Sequence, residues 1–362
     1  MKENYIMRRY SRFMMYGFMG LLLFFLPACG ATGAASPSAT PTAVRVNGFG
    51  TAANHVHSLL ALPDHVLLLA THYGIYRSTN DGTSWQQETS GPGQLMQGLM
   101  EYSLTASPLN PNQVYTLTLP ATYPHAGTLG IYASSDGGQT WKMTIATAQL
   151  TSTSIFTAEA GNTSPNELYI YLPQKGPNGL MVSEDGGRHF TSTGALPFGN
   201  IAAILAIPGE PGHVLVSGGS GMALSTDGGK SWQTVKNIDG GVYDLTTAGA
   251  HSPIYASGDA GIYASQDGGA TFTLVDSQAS YGQLAVSPAQ PDTVYGRTAT
   301  AIYRSTDGGH TWQPLPHIAG NLGNLAVDPG DANKLYLSLS YPVAVYQLTE
   351  NGTSWASLTP KA

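Results

Sequence analysis

The chain has 362 residues and a single cysteine, Cys29. One thiol excludes an internal disulfide framework and any cysteine-based metal site. Charge is scarce too, with 15 basic and 22 acidic side chains making up 10% of the residues. A net charge of −7 excludes the basic surface that nucleic acid or anionic lipid headgroups attract. There is no G-x-S-x-G nucleophile elbow and no phosphate-cradling glycine loop, which argues against those hydrolase and nucleotide-binding classes. The one long apolar run, Phe13 to Ala28, is short for a membrane-spanning helix.

Against these absences stands a repeat. Three copies read Ser134-Ser135-Asp136-Gly137-Gly138-Gln139-Thr140-Trp141, Ser225-Thr226-Asp227-Gly228-Gly229-Lys230-Ser231-Trp232 and Ser305-Thr306-Asp307-Gly308-Gly309-His310-Thr311-Trp312. Two more end in phenylalanine, at Phe190 and Phe272, with Asp185 and Asp267 in the acidic slot. Two are degenerate: Ser78 to Trp85 carries Asn80 there, and Leu348 to Trp355 carries Glu350. All 5 tryptophans of the chain close a copy. Copies recur about every 40 to 56 residues, the length of one four-stranded blade. Lead-ins such as Gly130-Ile131-Tyr132-Ala133-Ser134 alternate like strands. Asp-Gly-Gly then makes a tight turn, so each copy is a hairpin. The expected fold is all-β: a seven-bladed propeller of four-stranded antiparallel blades.

The repeat resembles the Asp-box (BNR-repeat) β-propellers, whose signature is Ser-x-Asp-x-Gly-x-Thr-Trp. The resemblance covers about residues 50 to 360. It extends to sialidases, xyloglucanases, sortilin-type receptors, a photosystem II assembly factor, and lipid-anchored bacterial proteins loosely classed as glycosyl hydrolases. It implies that the boxes are structural turns at the blade periphery, away from the ligand face. Fold alone does not name a function here.

Lys2, Arg8, Arg9 and Arg12 precede the apolar run, which ends in Leu26-Pro27-Ala28-Cys29-Gly30. This resembles a bacterial lipobox, with cleavage before Cys29 and lipid on its sulfur; an ordinary secretory signal with a stray cysteine is the alternative. The expected organisation is a lipoprotein signal peptide over 1–28, lipidated Cys29 and a flexible Ala/Thr/Ser/Pro tether over 29–42, and a propeller over 43–362. The expected location is extracytoplasmic, with a monomer held at a membrane through its lipid. Whether Val44 to Phe49 adds an edge strand is open.

With strands A to D running outward, boxes are C–D turns. The opposite face then carries the long D–A loops 86–101 and 142–153 and the B–C loops 120–127 and 172–178. Insertions cluster on the binding face of repeat folds, so the ligand is expected there. A recognition domain for a glycan, peptide or protein predicts exposed aromatics near Tyr102, Tyr123, Tyr243 and Tyr281. A metal site for zinc or copper is a second option. His55 and His57 alternate onto one side of the innermost strand of blade 1, and His72 ends the strand paired with it. Simple packing of these histidines at the channel mouth is the competing reading. His125 and His317 share that face, while His65, His189, His213, His251 and His310 fall on the box face. A glycoside hydrolase needs two carboxyl groups about 5 to 10 Å apart, for which Asp244, Asp259 and Glu101 are the candidates. Its sialidase version needs an arginine triad, and beyond the expected signal peptide only Arg45 and Arg297 remain once the box-associated arginines are set aside.

Overall fold

The computed structural model describes residue 49 and residues 54–122, 124–150, 154–278, 280–350 and 352–359. The signal peptide, Cys29, the tether, Arg45, Tyr123 and residues 44–48 lie outside the described residues.

Seven four-stranded antiparallel sheets form the blades, spanning 56–87, 99–146, 157–192, 203–234, 242–276, 283–314 and 322–357. Within each, the strands pair in chain order from A to D. Every blade is thus one unbroken stretch of sequence. Among the described residues helical structure is limited to two short 3-10 turns, Thr147–Leu150 and Pro173–Asn178.

The boxes are the C–D turns. In blade 6 the Ser305 hydroxyl donates to Asp307 Oδ1 at 2.7 Å and accepts from the Gly309 N–H at 2.9 Å. The Thr311 N–H donates to Asp307 Oδ1 at 2.9 Å, and its hydroxyl to Oδ2 at 2.6 Å. Asp136, Asp227 and Asp267 repeat this network. In blade 3 the His189 imidazole stands where threonine stands elsewhere, 2.6 Å from Asp185 Oδ2. In blade 1 Asn80 keeps the arrangement by reversing one bond, its amide donating to the Ser84 hydroxyl at 3.0 Å. Blade 7 departs from expectation. Its strand C ends in Leu348, which has no hydroxyl, and Thr349 rather than Glu350 ties the turn, through Ser354. Donated hydrogen bonds hold the box carboxylates ionised: Thr311 and Ser231 bring Asp307 and Asp227 down to about 2.

The core is a set of layers between consecutive blades, and each has the same two parts. The aromatic that closes a box packs back onto the preceding blade. Trp141 meets Leu62 and Leu68 of blade 1, Phe190 packs on blade 2, Trp232 on blade 3, Phe272 on blade 4, Trp312 on blade 5, Trp355 on blade 6, and Trp85 on blade 7. A strand-B residue reaches forward into the same layer: Leu68, Tyr115, Tyr169, Leu215, Tyr255, Tyr295 and Tyr336 in turn. All five tyrosines are among the largest fully buried side chains. Several donate across the layer, Tyr295 to Ala332 O at 2.8 Å and Tyr255 to Pro291 O at 3.2 Å. This forward contact explains the second box glycine. At Gly138, φ is +82° and an added Cβ would lie 2.6 Å from Leu68.

The seam between blades 7 and 1 closes by the same rule with one change. Box 1 has Asp81 where five of the other six copies have a first glycine, held in the left-handed region at φ 55°. Its carboxylate accepts from Tyr336 Oη at 2.7 Å and from Lys334 Nζ at 3.0 Å. Trp85 Nε1 donates to Leu358 O at 3.1 Å, and Phe49 meets Tyr76 edge to face at 5.0 Å and Trp85 at a tilt at 5.6 Å. No edge strand is shared among the described residues; these side-chain contacts, with a Val56 N–H donated to Ser340 O at 3.1 Å, close the ring.

Candidate functional site

The face opposite the boxes is built by strand-A starts, D–A loops and B–C loops. At blade 1, strand A (Val56–Leu62) pairs with strand B (Val66–Thr71), and a register shift falls between Val56 and Ser58. His57 sits at that irregularity, with its Nε2 buried. The His72 N–H donates to His55 O at 3.0 Å, which fixes the two residues side by side. The ring of His55 lies 4.4 Å from that of His57 and 4.9 Å from that of His72, centroid to centroid. One ligand atom from each of the three lies within 4.8 Å of the others. Glycine at 74 is required here, since φ is +119° and a Cβ would sit 2.5 Å from Thr89 O.

Electrostatics keeps these imidazoles neutral. Burial, then the neighbouring rings, lowers His57 to about 3. Burial followed by His72 lowers His55. Burial also lowers His72, partly opposed by a hydrogen bond to the Ala121 carbonyl. His57 Nε2 and His72 Nδ1 are buried without a hydrogen-bond partner. Of the other histidines assigned to this face, His125 is bound to Gly127 O at 2.8 Å and His317 is exposed. On the box face His65 and His189 pair with Asp81 and Asp185.

Of the three candidate carboxyl groups, Glu101 belongs to blade 2 and Asp244 and Asp259 to blade 5. Glu101 is fully buried, accepting from Thr89 and Ser90 at 2.9 and 2.8 Å. Burial raises it to about 8 despite those bonds, so it is protonated at neutral pH. Asp244 accepts from the Leu284 N–H of blade 6 at 2.6 Å. Burial raises it to about 6, offset in part by that bond and by Arg297. Asp259 is exposed and binds the Gly241 N–H and the Tyr243 hydroxyl, both at 3.1 Å. Glu159, which sequence reasoning passed over, is a second carboxyl raised to about 8 by burial.

The aromatic surface differs from the expected one. Tyr102 donates to Ile155 O and packs on the core, and Tyr281 is buried against Trp312 at 4.9 Å. Both rings wedge blades apart from solvent. Tyr243 is exposed as expected, joined by Phe156, Tyr341 and Leu95. No strand-like alternation marks the loops that hold Phe156, Tyr341 and Leu95, so the sequence offered no periodic signal for them.

Fold and motif together define a seven-bladed Asp-box propeller. The BNR/Asp-box repeat family matches residues 303–314, the hairpin of blade 6. A probable oligoxyloglucan-reducing end-specific xyloglucanase of Neosartorya fischeri is 31% identical over 150 residues, covering 39% of this chain and 17% of that protein. Among solved structures, the GH74 xyloglucanase of Xanthomonas campestris superposes with a TM-score of 0.63 at 18% identity, over 84% of this chain and 54% of its own. YCF48 of Cyanidioschyzon merolae gives 0.58 at 14% identity, over 81% and 95%. The matched region therefore spans about half of the Xanthomonas xyloglucanase and nearly all of the YCF48 chain.

Proposed function

We propose that this propeller is a recognition domain that binds a glycan, peptide or protein segment on the face opposite its boxes. One observation carries the reading. Of the seven exposed large apolar side chains among the described residues, four (Leu95, Phe156, Tyr243 and Tyr341) belong to strand-A starts, D–A loops or a B–C loop of that face. Exposed aromatics offer ring faces for sugars or apolar side chains, and such residues dominate binding energy. Similarity to a xyloglucanase and to a YCF48 that has been seen bound to D1 peptide supports both ligand classes as probes. Binding to xyloglucan oligosaccharides and to a peptide library, measured by calorimetry, should weaken about 10-fold or more in Tyr243→Ala and Phe156→Ala. Met143→Ala, on the outermost strand, should leave it unchanged. Wild-type affinity in both face variants would refute the reading.

A glycoside hydrolase is the second reading, favoured by the local identity to the xyloglucanase. It requires two carboxyl groups open to a sugar, and the full burial of Glu101 weighs against that residue as one of them. Reducing-sugar release abolished by Asp244→Asn or Asp259→Asn would establish it. A lipid on Cys29 would hold the domain, as a monomer, outside the cytoplasm. Cys29→Ser should then move the protein from the membrane to the soluble fraction.

A further inference from the structure

We infer that His55, His57 and His72 form a three-imidazole site for a late first-row divalent cation, zinc(II) or copper(II), with a fourth coordination position open. The inference goes beyond ligand recognition and stands whether or not a glycan or peptide binds. It begins with an imbalance. Two ring nitrogens, His57 Nε2 and His72 Nδ1, are buried without partners. An unpartnered buried polar atom is costly, and native interiors keep few of them without a purpose. Packing alone, the competing account of the cluster, leaves both costs standing. A cation removes both at once.

The geometry fits that role. A tetrahedral ion with metal–nitrogen bonds of about 2.0–2.1 Å places its ligand atoms about 3.4 Å apart. The three donors lie within 4.8 Å of one another, so small ring rotations close the shell. Backbone geometry holds the cluster together: the His72 N–H is bonded to His55 O, and His57 lies at the register shift of the same strand. His72 Nδ1 is buried and unpartnered, so its lone pair is available to a metal.

Donor chemistry selects the ion. The cluster holds no carboxylate or thiolate, which argues against magnesium, calcium and manganese and against soft-metal sites. Neutral imidazoles suit zinc(II) and copper(II). Three protein ligands leave a position for water or a ligand group, unlike the closed four-ligand shell of a structural zinc.

The test uses the full chain stripped with chelator, then exposed separately to zinc chloride and copper chloride. After desalting, elemental analysis should find about one equivalent of metal per chain. The copper form should show nitrogen hyperfine structure from three imidazoles in its electron paramagnetic resonance spectrum. His57→Gln and His72→Gln should each weaken binding at least about 100-fold, whereas His317→Gln, an exposed histidine of the same face, should bind as the wild type does. Circular dichroism checks that the variants fold. Should either fail to fold, the hyperfine pattern of the wild-type chain decides alone. Retention far below one equivalent of both metals, a spectrum without nitrogen coupling, or unchanged affinity in folded His57→Gln would each overturn the site.

Discussion

Glu101 shows how much a single buried carboxyl can shape this protein. Its folded pKa lies near 8, above the ordinary value of 4.5. A raised pKa means that the folded state holds the proton while the unfolded state releases it. The stabilisation is therefore complete below about pH 4.5 and is lost as pH rises toward 8. Urea denaturation should find the wild type less stable at pH 8 than at pH 5. Glu101→Gln keeps the shape without the charge and should flatten that slope, recovering stability of the order of a few kcal/mol at pH 8. An identical slope in the variant would show that Glu101 ionises freely. Asp81 works in the opposite sense. Burial would raise it, but hydrogen bonds from Tyr336 and Lys334 and the Lys334 charge outweigh burial and lower it. Its contribution is present at neutral pH and lost in acid.

At the scale of the element, the unit of this fold is the hairpin together with the layer behind it. Truncating Trp141 removes a ring lodged between blades 1 and 2. Trp141→Ala should cost about 3–5 kcal/mol, read from the denaturation midpoint. Gly138→Ala should also destabilise, because its Cβ would meet Leu68 and its backbone has positive φ; stability equal to wild type would contradict the forward contact. Much of this was legible beforehand. Serine, aspartate, glycine and an aromatic at fixed spacing dictate a turn through local chemistry, and local chemistry is what a sequence displays. The forward contact was hidden because Tyr115 or Tyr295 acquires its partner only from the next blade. Thr349 escaped notice because the box pattern pointed to Glu350 one place later. The histidine trio was visible as His-x-His plus His72. Its unsatisfied nitrogens were not, since their burial depends on packing that no spacing announces. The aromatic face was only partly readable: Tyr243 and Tyr281 look alike in sequence, and burial alone separates them.

For the molecule as a whole, stability is a sum of layers, and each blade leans on both neighbours. Six layers lie between blades adjacent in sequence. The seventh joins the two ends of the ring through Asp81, Lys334, Tyr336 and Trp85. Asp81→Asn should loosen this seam selectively. Hydrogen exchange should quicken in blades 1 and 7 while blades 3 to 5 keep their protection, and added salt should narrow the difference between variant and wild type. Uniform change around the ring would mean that the seam is no weaker than any other layer.

Because every sheet is drawn from one uninterrupted stretch, the place where the ring is severed is arbitrary as far as the sheets are concerned. Starting the polypeptide at another interblade loop, with residues 49 and 359 bridged by a linker, would leave all seven sheets whole. Only the identity of the last layer to zip shut would move, and with it the point from which unfolding begins.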